Sequence, residues 1–203
     1  MSEPRLDSPL AGEAAPDDFA VSVTEIVDRG MVDLRGDPDN GPFAAAVESV
    51  LGLSLPRQPR TSSSAGVLSV LWLSVDQWLV QCPRQRTVDL ARDLNQALGA
   101  IPSLVVDMSD ARTILRLEGE GVRELIMKGA PVDLTAPAFG KGMVRRLRFG
   151  ELAAMVHMVG ESPDVVDLFV FRSYATFAWE WLIATGSGAA EVRLFQPQAA
   201  PTA

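Results

Sequence analysis

Two segments of this 203-residue chain, "GPFAAAVESVLGLSLP" (41–56) and "GEGVRELIMKGAPVDL" (119–134), occupy the same slot in two successive runs of elements. Both runs read strand, helix, strand, strand, helix, and the second holds one extra strand. Such a repeat predicts an α+β fold of two split β-α-β units fused edge to edge, with helices on one face of mostly antiparallel sheets. The expected divisions are an extended N-terminal arm (1–20), a first half (21–108), a second half (109–186) and a C-terminal tail (187–203) with an apolar patch at Val192, Leu194 and Phe195.

The elements follow from local pattern. "FAVSVTEIVDRGMVDLRGD" alternates like one or two strands. Pro42 at a first helical position and Gly52 beyond the last bracket a helix whose stripe is Phe43, Val47, Val50 and Leu51. A Pro-, Arg- and Ser-rich loop (56–64) precedes a hairpin, "GVLSVLWL" and "QWLVQCP", turning at Ser74 to Asp76. Thr87 is placed to cap a helix buried through Leu90, Leu94, Ala97 and Leu98 and stopped by Gly99. After the strand "SLVVDM", the second run gives strand 112–118, helix 122–128 stopped by Gly129, strands near 143–149, 152–159 and 165–171, and a final helix capped by Ser173 and ending at Gly186.

The chemistry is sparse. "VVDMSDARTILRLEGEGVRELIMKGAPVDL" (105–134) is sharply patterned but holds no His, Cys or Tyr. His157, the only histidine, stands in the apolar "AAMVHMV", which excludes the usual triads and multi-histidine metal sites and reads as a structural residue at the back of a sheet or at an interface. Cys82, the single cysteine, has no redox partner, agrees with a reducing compartment and reads as a small buried hydrophobe. Gly119-Glu120-Gly121 and Gly140-Lys141-Gly142 complete no nucleotide fingerprint and read as turns. In "KGMVRRLRFG", Arg146 and Arg148 share a strand face with Arg145 opposite, so Lys141 and the three arginines make either a solvated face or a surface for an acidic partner. No residue is therefore assigned as catalytic, cofactor-binding or metal-ligating.

Charge and hydropathy narrow the partners. The net charge of -8 excludes a phosphate-binding surface of the nucleic-acid kind. The acidity belongs to residues 1–50, with 11 Asp or Glu against 3 Arg, while the remainder is balanced. No apolar run approaches the roughly 20 residues of a membrane span, and the acidic, Pro-rich opening is unlike a signal peptide, so a cytoplasmic protein is expected. In the last helix Tyr174, Phe177, Ala178, Trp181 and Leu182 fit the core stripe. Trp179 and Ile183 fall toward the opposite side, so the helix is expected to be covered twice, by its own sheet and by the other half or a partner.

"SPLAG" near the start, "VLWLSVDQWLV", the 105–134 segment and "FRSYATFAWEWL" together resemble the gamma subunits of heterotetrameric sarcosine oxidases. The resemblance implies the fold of the folate-binding aminomethyltransferases of the glycine cleavage type. It also implies membership of a complex that demethylates sarcosine with oxygen, giving glycine, hydrogen peroxide and a one-carbon unit passed to tetrahydrofolate. FAD, FMN, NAD, zinc and tetrahydrofolate are then expected on the partner alpha, beta and delta subunits and none on this chain, which would be a non-catalytic structural subunit. Asp107, Ser109 and Arg112 look like the family's turn, explained by an Asp-capped turn or a buried Asp–Arg pair. No folate-gripping carboxylate can be matched here. The alternative is a stand-alone folate-binding aminomethyltransferase-like protein.

Overall fold

The computed structural model describes residues 7–16, 19 and 21–186; the patch at Val192, Leu194 and Phe195 lies outside them. Ten strands form two five-stranded sheets. In chain order the elements are β1 (Ser22–Glu25), β2 (Arg29–Gly36), α1 (Gly41–Leu51), β3 (Ser62–Ala65), β4 (Leu68–Ser74), β5 (Gln77–Pro83), α2 (Thr87–Leu98), β6 (Ser103–Asp107), β7 (Arg112–Glu118), α3 (Val122–Gly129), β8 (Val144–Phe149), β9 (Leu152–Gly160), β10 (Val165–Phe171) and α4 (Ala175–Gly186). One sheet runs β3-β4-β5-β2-β6 and the other β1-β7-β10-β9-β8. Every strand pairing named is antiparallel.

The sheets stack face to face, and a single bridge, Thr61 to Met143, links them beside the edge strands β3 and β8. Met31, Leu71, Leu73 and Leu79 from the first meet Ile114, Val144, Met155 and Phe169 from the second in a buried layer. The helices cover the outer faces. On the first sheet, α1 and α2 bring Phe43, Val47, Leu51, Leu90, Leu94 and Leu98 onto Val32, Leu34, Trp78 and Val80. On the second, α3 and α4 cover Leu115, Leu117, Val156, Leu168 and Val170. The inner strands β9 and β10 are therefore buried on both faces along most of their length.

Local chemistry explains most boundaries. Asn40 Oδ1 accepts from Phe43 N at 3.2 Å at the start of α1, and Gly52 ends it with φ 65° while its N–H reaches Glu48 O. Gly36 is required by packing, because a Cβ there would lie 2.1 Å from a Phe43 ring carbon. The chain crosses between halves at β1, which pairs with β7 of the second run. The segment "SPLAG" also joins the second half, where Leu10 is buried beside α3 and α4.

Several local readings change. Ser62–Ala65, within and just past the expected loop, forms β3 because it can hydrogen-bond to the exposed edge of β4. Thr87 does not cap α2: a 3-10 turn at Arg84–Arg86 leads into the helix, and the buried Thr87 hydroxyl donates back to Arg84 O at 2.9 Å. Ala97 is exposed, since the stripe of α2 runs Thr87, Leu90, Leu94, Leu98. Ser173 lies in a second 3-10 turn, Arg172–Tyr174, and α4 begins after it.

Candidate functional site

The layer between the sheets changes character along its length. On six strands the residue two positions from an apolar member is polar: Arg29 beside Met31, Ser69 beside Leu71, Gln81 beside Leu79, Arg116 beside Ile114, His157 beside Met155 and Asp167 beside Phe169. Because the strand period is two, all six share the inner face. They line a recess of about 320 Å³ together with Ser62, Ser64, Lys141 and Gly142.

His157 is buried at this end, as its apolar strand implies. Its Nε2 lies 3.0 Å from Ser62 Oγ, and that hydroxyl spends its own proton on Gly142 O at 2.8 Å. Ser62 therefore accepts, Nε2 carries the ring proton, and Nδ1 of the neutral ring is a bare acceptor. Burial lowers the imidazole pKa to about 4, against the opposing pull of Asp167, so the ring is neutral near pH 7. Asp167 is itself committed, its two carboxylate oxygens taking Arg116 Nε at 2.7 Å and Nη2 at 2.9 Å. Asp167 is thus held by Arg116, while His157 keeps one ring nitrogen without a partner among the described residues.

A second recess, about 300 Å³, lies where Ser8, Glu25, Asp28, Arg84, Asp110 and Arg112 converge. The turn expected at Asp107 is present in its capped form: Asp107 Oδ1 accepts from Ser109 N at 2.9 Å and Ser109 Oγ at 2.5 Å, and Ser109 Oγ accepts from Met31 N at 2.9 Å. Arg112 does not pair with Asp107; it lies over the Phe171 ring, 4.8 Å from its centre. This is a structural tie between β2 and the β6–β7 turn.

Cys82 is fully buried, 3.7 Å from Thr87 Oγ1, and burial pushes its thiol up, away from thiolate reactivity. The basic run is divided. Arg145 donates to Ala138 O at 2.6 Å and covers the Phe139 ring, Arg148 binds Gly150 O and Glu151, and Arg146 and Lys141 face solvent. Gly121 and Gly142 take positive φ in turns. Among the described residues no group of three or more His, Cys, Asp or Glu is placed to hold a metal ion.

The last helix departs most from expectation. Its buried stripe is Ala175, Ala178, Trp179 and Leu182, one residue out of register with the reading from sequence. Trp179 is core, whereas Tyr174 and Phe177 are 47% and 45% exposed, with Phe171 at 39%. Trp181 lies between: it is partly buried, edge-on to Phe149 at 4.5 Å, and close against Gly129. "ATFAWEWLIATG" is apolar all round, so periodicity could not tell the sides apart, and the 3-10 turn shifted the phase. The two sides are exchanged relative to the reading from sequence, and within this chain only one of them is covered. Three aromatics at three-residue spacing, Phe171, Tyr174 and Phe177, stand outward. A separate exposed pair, Leu104 and Val106, lies on the edge strand β6.

Known proteins resemble this chain over most of its length. The sequence model of the family described as "Sarcosine oxidase, gamma subunit family" matches residues 35–188. The sarcosine oxidase subunit gamma of Corynebacterium sp. (strain P-1) is 33% identical over 164 residues, covering 80% of this chain and 78% of its own. That of Arthrobacter sp is 31% identical over 161 residues, covering 79% and 78%. Among solved structures, a chain of the heterotetrameric sarcosine oxidase from Corynebacterium sp. U-96, in complex with pyrrole 2-carboxylate, superposes with a TM-score of 0.82 at 25% identity, covering 92% of this chain and 97% of that one. The glycine cleavage system aminomethyltransferase T from Bartonella henselae shares the fold, with a TM-score of 0.59 at 14% identity over 88% of this chain and 48% of that one.

Proposed function

This chain belongs to the sarcosine oxidase gamma subunit family, and we propose that within a heterotetrameric sarcosine oxidase it acts by packing rather than by chemistry, holding flavin-bearing subunits through the outer side of α4. The observation that carries this reading is the exposure of Tyr174 and Phe177 on a helix whose opposite side is already full. Large aromatics standing out of a folded surface are the residues that dominate subunit contacts. Two groups that could move protons are committed, since Asp167 holds Arg116 and Cys82 is buried, and His157 is buried with its Nε2 facing Ser62.

In this reading the partners are the alpha, beta and delta subunits, the FAD, FMN, NAD and zinc sites belong to them, and the assembly works in the cytoplasm. No helix among the described residues is long and apolar enough to cross a membrane. Asp167, the one buried carboxylate among the described residues, has each oxygen hydrogen-bonded to Arg116. In this reading the folate site also belongs to a partner.

The test is purification of the chain at native levels with whatever accompanies it. We expect three companion chains, flavin absorbance and sarcosine-dependent peroxide formation in the assembly, and a colourless, inactive protein when this chain is expressed alone. Flavin absorbance or tight folate binding by the isolated chain would favour the stand-alone aminomethyltransferase-like alternative.

A further inference from the structure

The polar end of the intersheet layer is unfinished. Gln81 and His157 are 2% and 4% exposed, yet Gln81 Nε2 and His157 Nδ1 have no hydrogen-bond partner. Buried polar atoms of this kind are rare, because an unmade bond in the interior leaves the group's desolvation uncompensated. One orphan is a donor. The other, by the proton count at Ser62, is an acceptor. Their residues come from different sheets and line the same 320 Å³ recess.

The recess is also electropositive. Its charged members are Arg29, Arg116, Lys141 and Asp167. Asp167 is neutralised by Arg116. Among the described residues Arg29 and Lys141 make no hydrogen bond or ion pair through their side chains, so two cations without a direct partner border the pocket, with Asp28 and Glu118 acting on Arg116 from nearby. Ser64 and Ser69 add hydroxyls at the rim, bonded to each other at 2.9 Å.

We propose that this recess binds a small oxyanion that also carries an O–H or N–H donor. Its anionic oxygens meet Arg29, Lys141 and the Gln81 amide, and its donor meets His157 Nδ1. The Gln81 amide sits on a broad terminal torsion and turns toward a ligand at little cost. Hydrogen phosphate and the zwitterion of a simple amino acid share this chemistry. Sulfate, of similar size to phosphate but without a proton at neutral pH, does not. The assignment is independent of the packing role proposed above, because it concerns an inner face remote in chemistry from the aromatics of α4.

The single histidine makes the test direct. The full chain carrying ¹⁵N only in histidine is titrated with hydrogen phosphate, with glycine and with sulfate at pH 7.5 and constant ionic strength. The Nδ1 resonance is followed in each titration. We expect a saturable shift with half-saturation below about 5 mM for phosphate or glycine, whichever is the source, and at least about tenfold weaker response to sulfate. Lys141→Met, at an exposed position that does not threaten folding, and Arg29→Met should each weaken binding roughly tenfold. Absence of a saturable shift with both probes overturns the proposal, as does an equal response to sulfate or an unchanged response in both variants. Assembly with the partner subunits is scored separately, so failure of the site and failure of the packing role give different results.

Discussion

Ser62 Oγ and His157 Nε2 stand 3.0 Å apart on different sheets, with the serine accepting the only proton of a neutral, buried imidazole. Charging this ring is opposed by burial and by Arg116 and Arg29, and favoured only by Asp167. With a folded pKa of about 4 and an unfolded value of 6.5, the unfolded chain takes up the proton first. Stability is therefore complete above pH 6.5 and falls as the pH drops toward 4, by roughly 3 kcal/mol in all. Urea midpoints measured between pH 7.5 and 4 should show this decline. In His157→Gln that part of the slope should vanish, and an identical slope in the variant would remove His157 as its source.

Arg123 of α3 is the tie for the long segment between α3 and β8. Its guanidinium binds Asp164 at 2.7 and 2.9 Å and also donates to Leu134 O at 2.7 Å and Phe139 O at 2.5 Å. Replacing it with Met keeps the stem but strands two carbonyls and a carboxylate. A loss of about 2–4 kcal/mol is expected, with earlier proteolysis within residues 130–142. Denaturation together with limited proteolysis checks both, and a cost under 1 kcal/mol would mean the segment is held by its apolar contacts alone.

Gly36 and Phe43 leave no room for a methyl group, since the added Cβ would sit 2.1 Å from the ring. Phe43 is fully buried and packed 6.2 Å from Trp78, so it cannot swing away. Gly36→Ala should cost about 1–3 kcal/mol or more. Pairing it with Phe43→Leu should recover part of that loss, a coupling that thermal melts of the single and double variants would expose.

The strands and helices were legible because each carried its own period. β7 at Arg112–Glu118 and β10 at Val165–Phe171 fall on the bounds read from sequence. What escaped was relational. β3 is a serine run with no strand signal until β4 offers an edge. The stacking of the sheets, and with it the inner-face set of His157, Gln81, Arg116 and Asp167, needs the register between strands. The signal was present as an apolar residue followed two positions away by a polar one on several strands, but nothing in one strand says which others align with it. Thr87 misled because a serine or threonine before a helix looks alike whether it caps forward or bonds back to a 3-10 turn.

The outer side of α4 gives the most direct test of the packing role. Tyr174 and Phe177 are nearly half exposed and bury little within the chain, so Tyr174→Ser and Phe177→Asp should each change its own stability by no more than about 0.5–1 kcal/mol. If these rings fill partner pockets, each truncation should cost about 2–4 kcal/mol of association, or roughly 30- to 1,000-fold in affinity. The double variant should fold alone but fail to co-purify with the oxidase, while Val75→Asp at the exposed β4–β5 turn should assemble normally. Trp179→Ala works as the opposite control: Trp179 is core, so its loss of about 3–5 kcal/mol should appear in the isolated chain. Full recovery of the assembled oxidase with the double variant would mean that the subunits meet elsewhere, with the exposed edge of β6 at Leu104 and Val106 the next surface to probe.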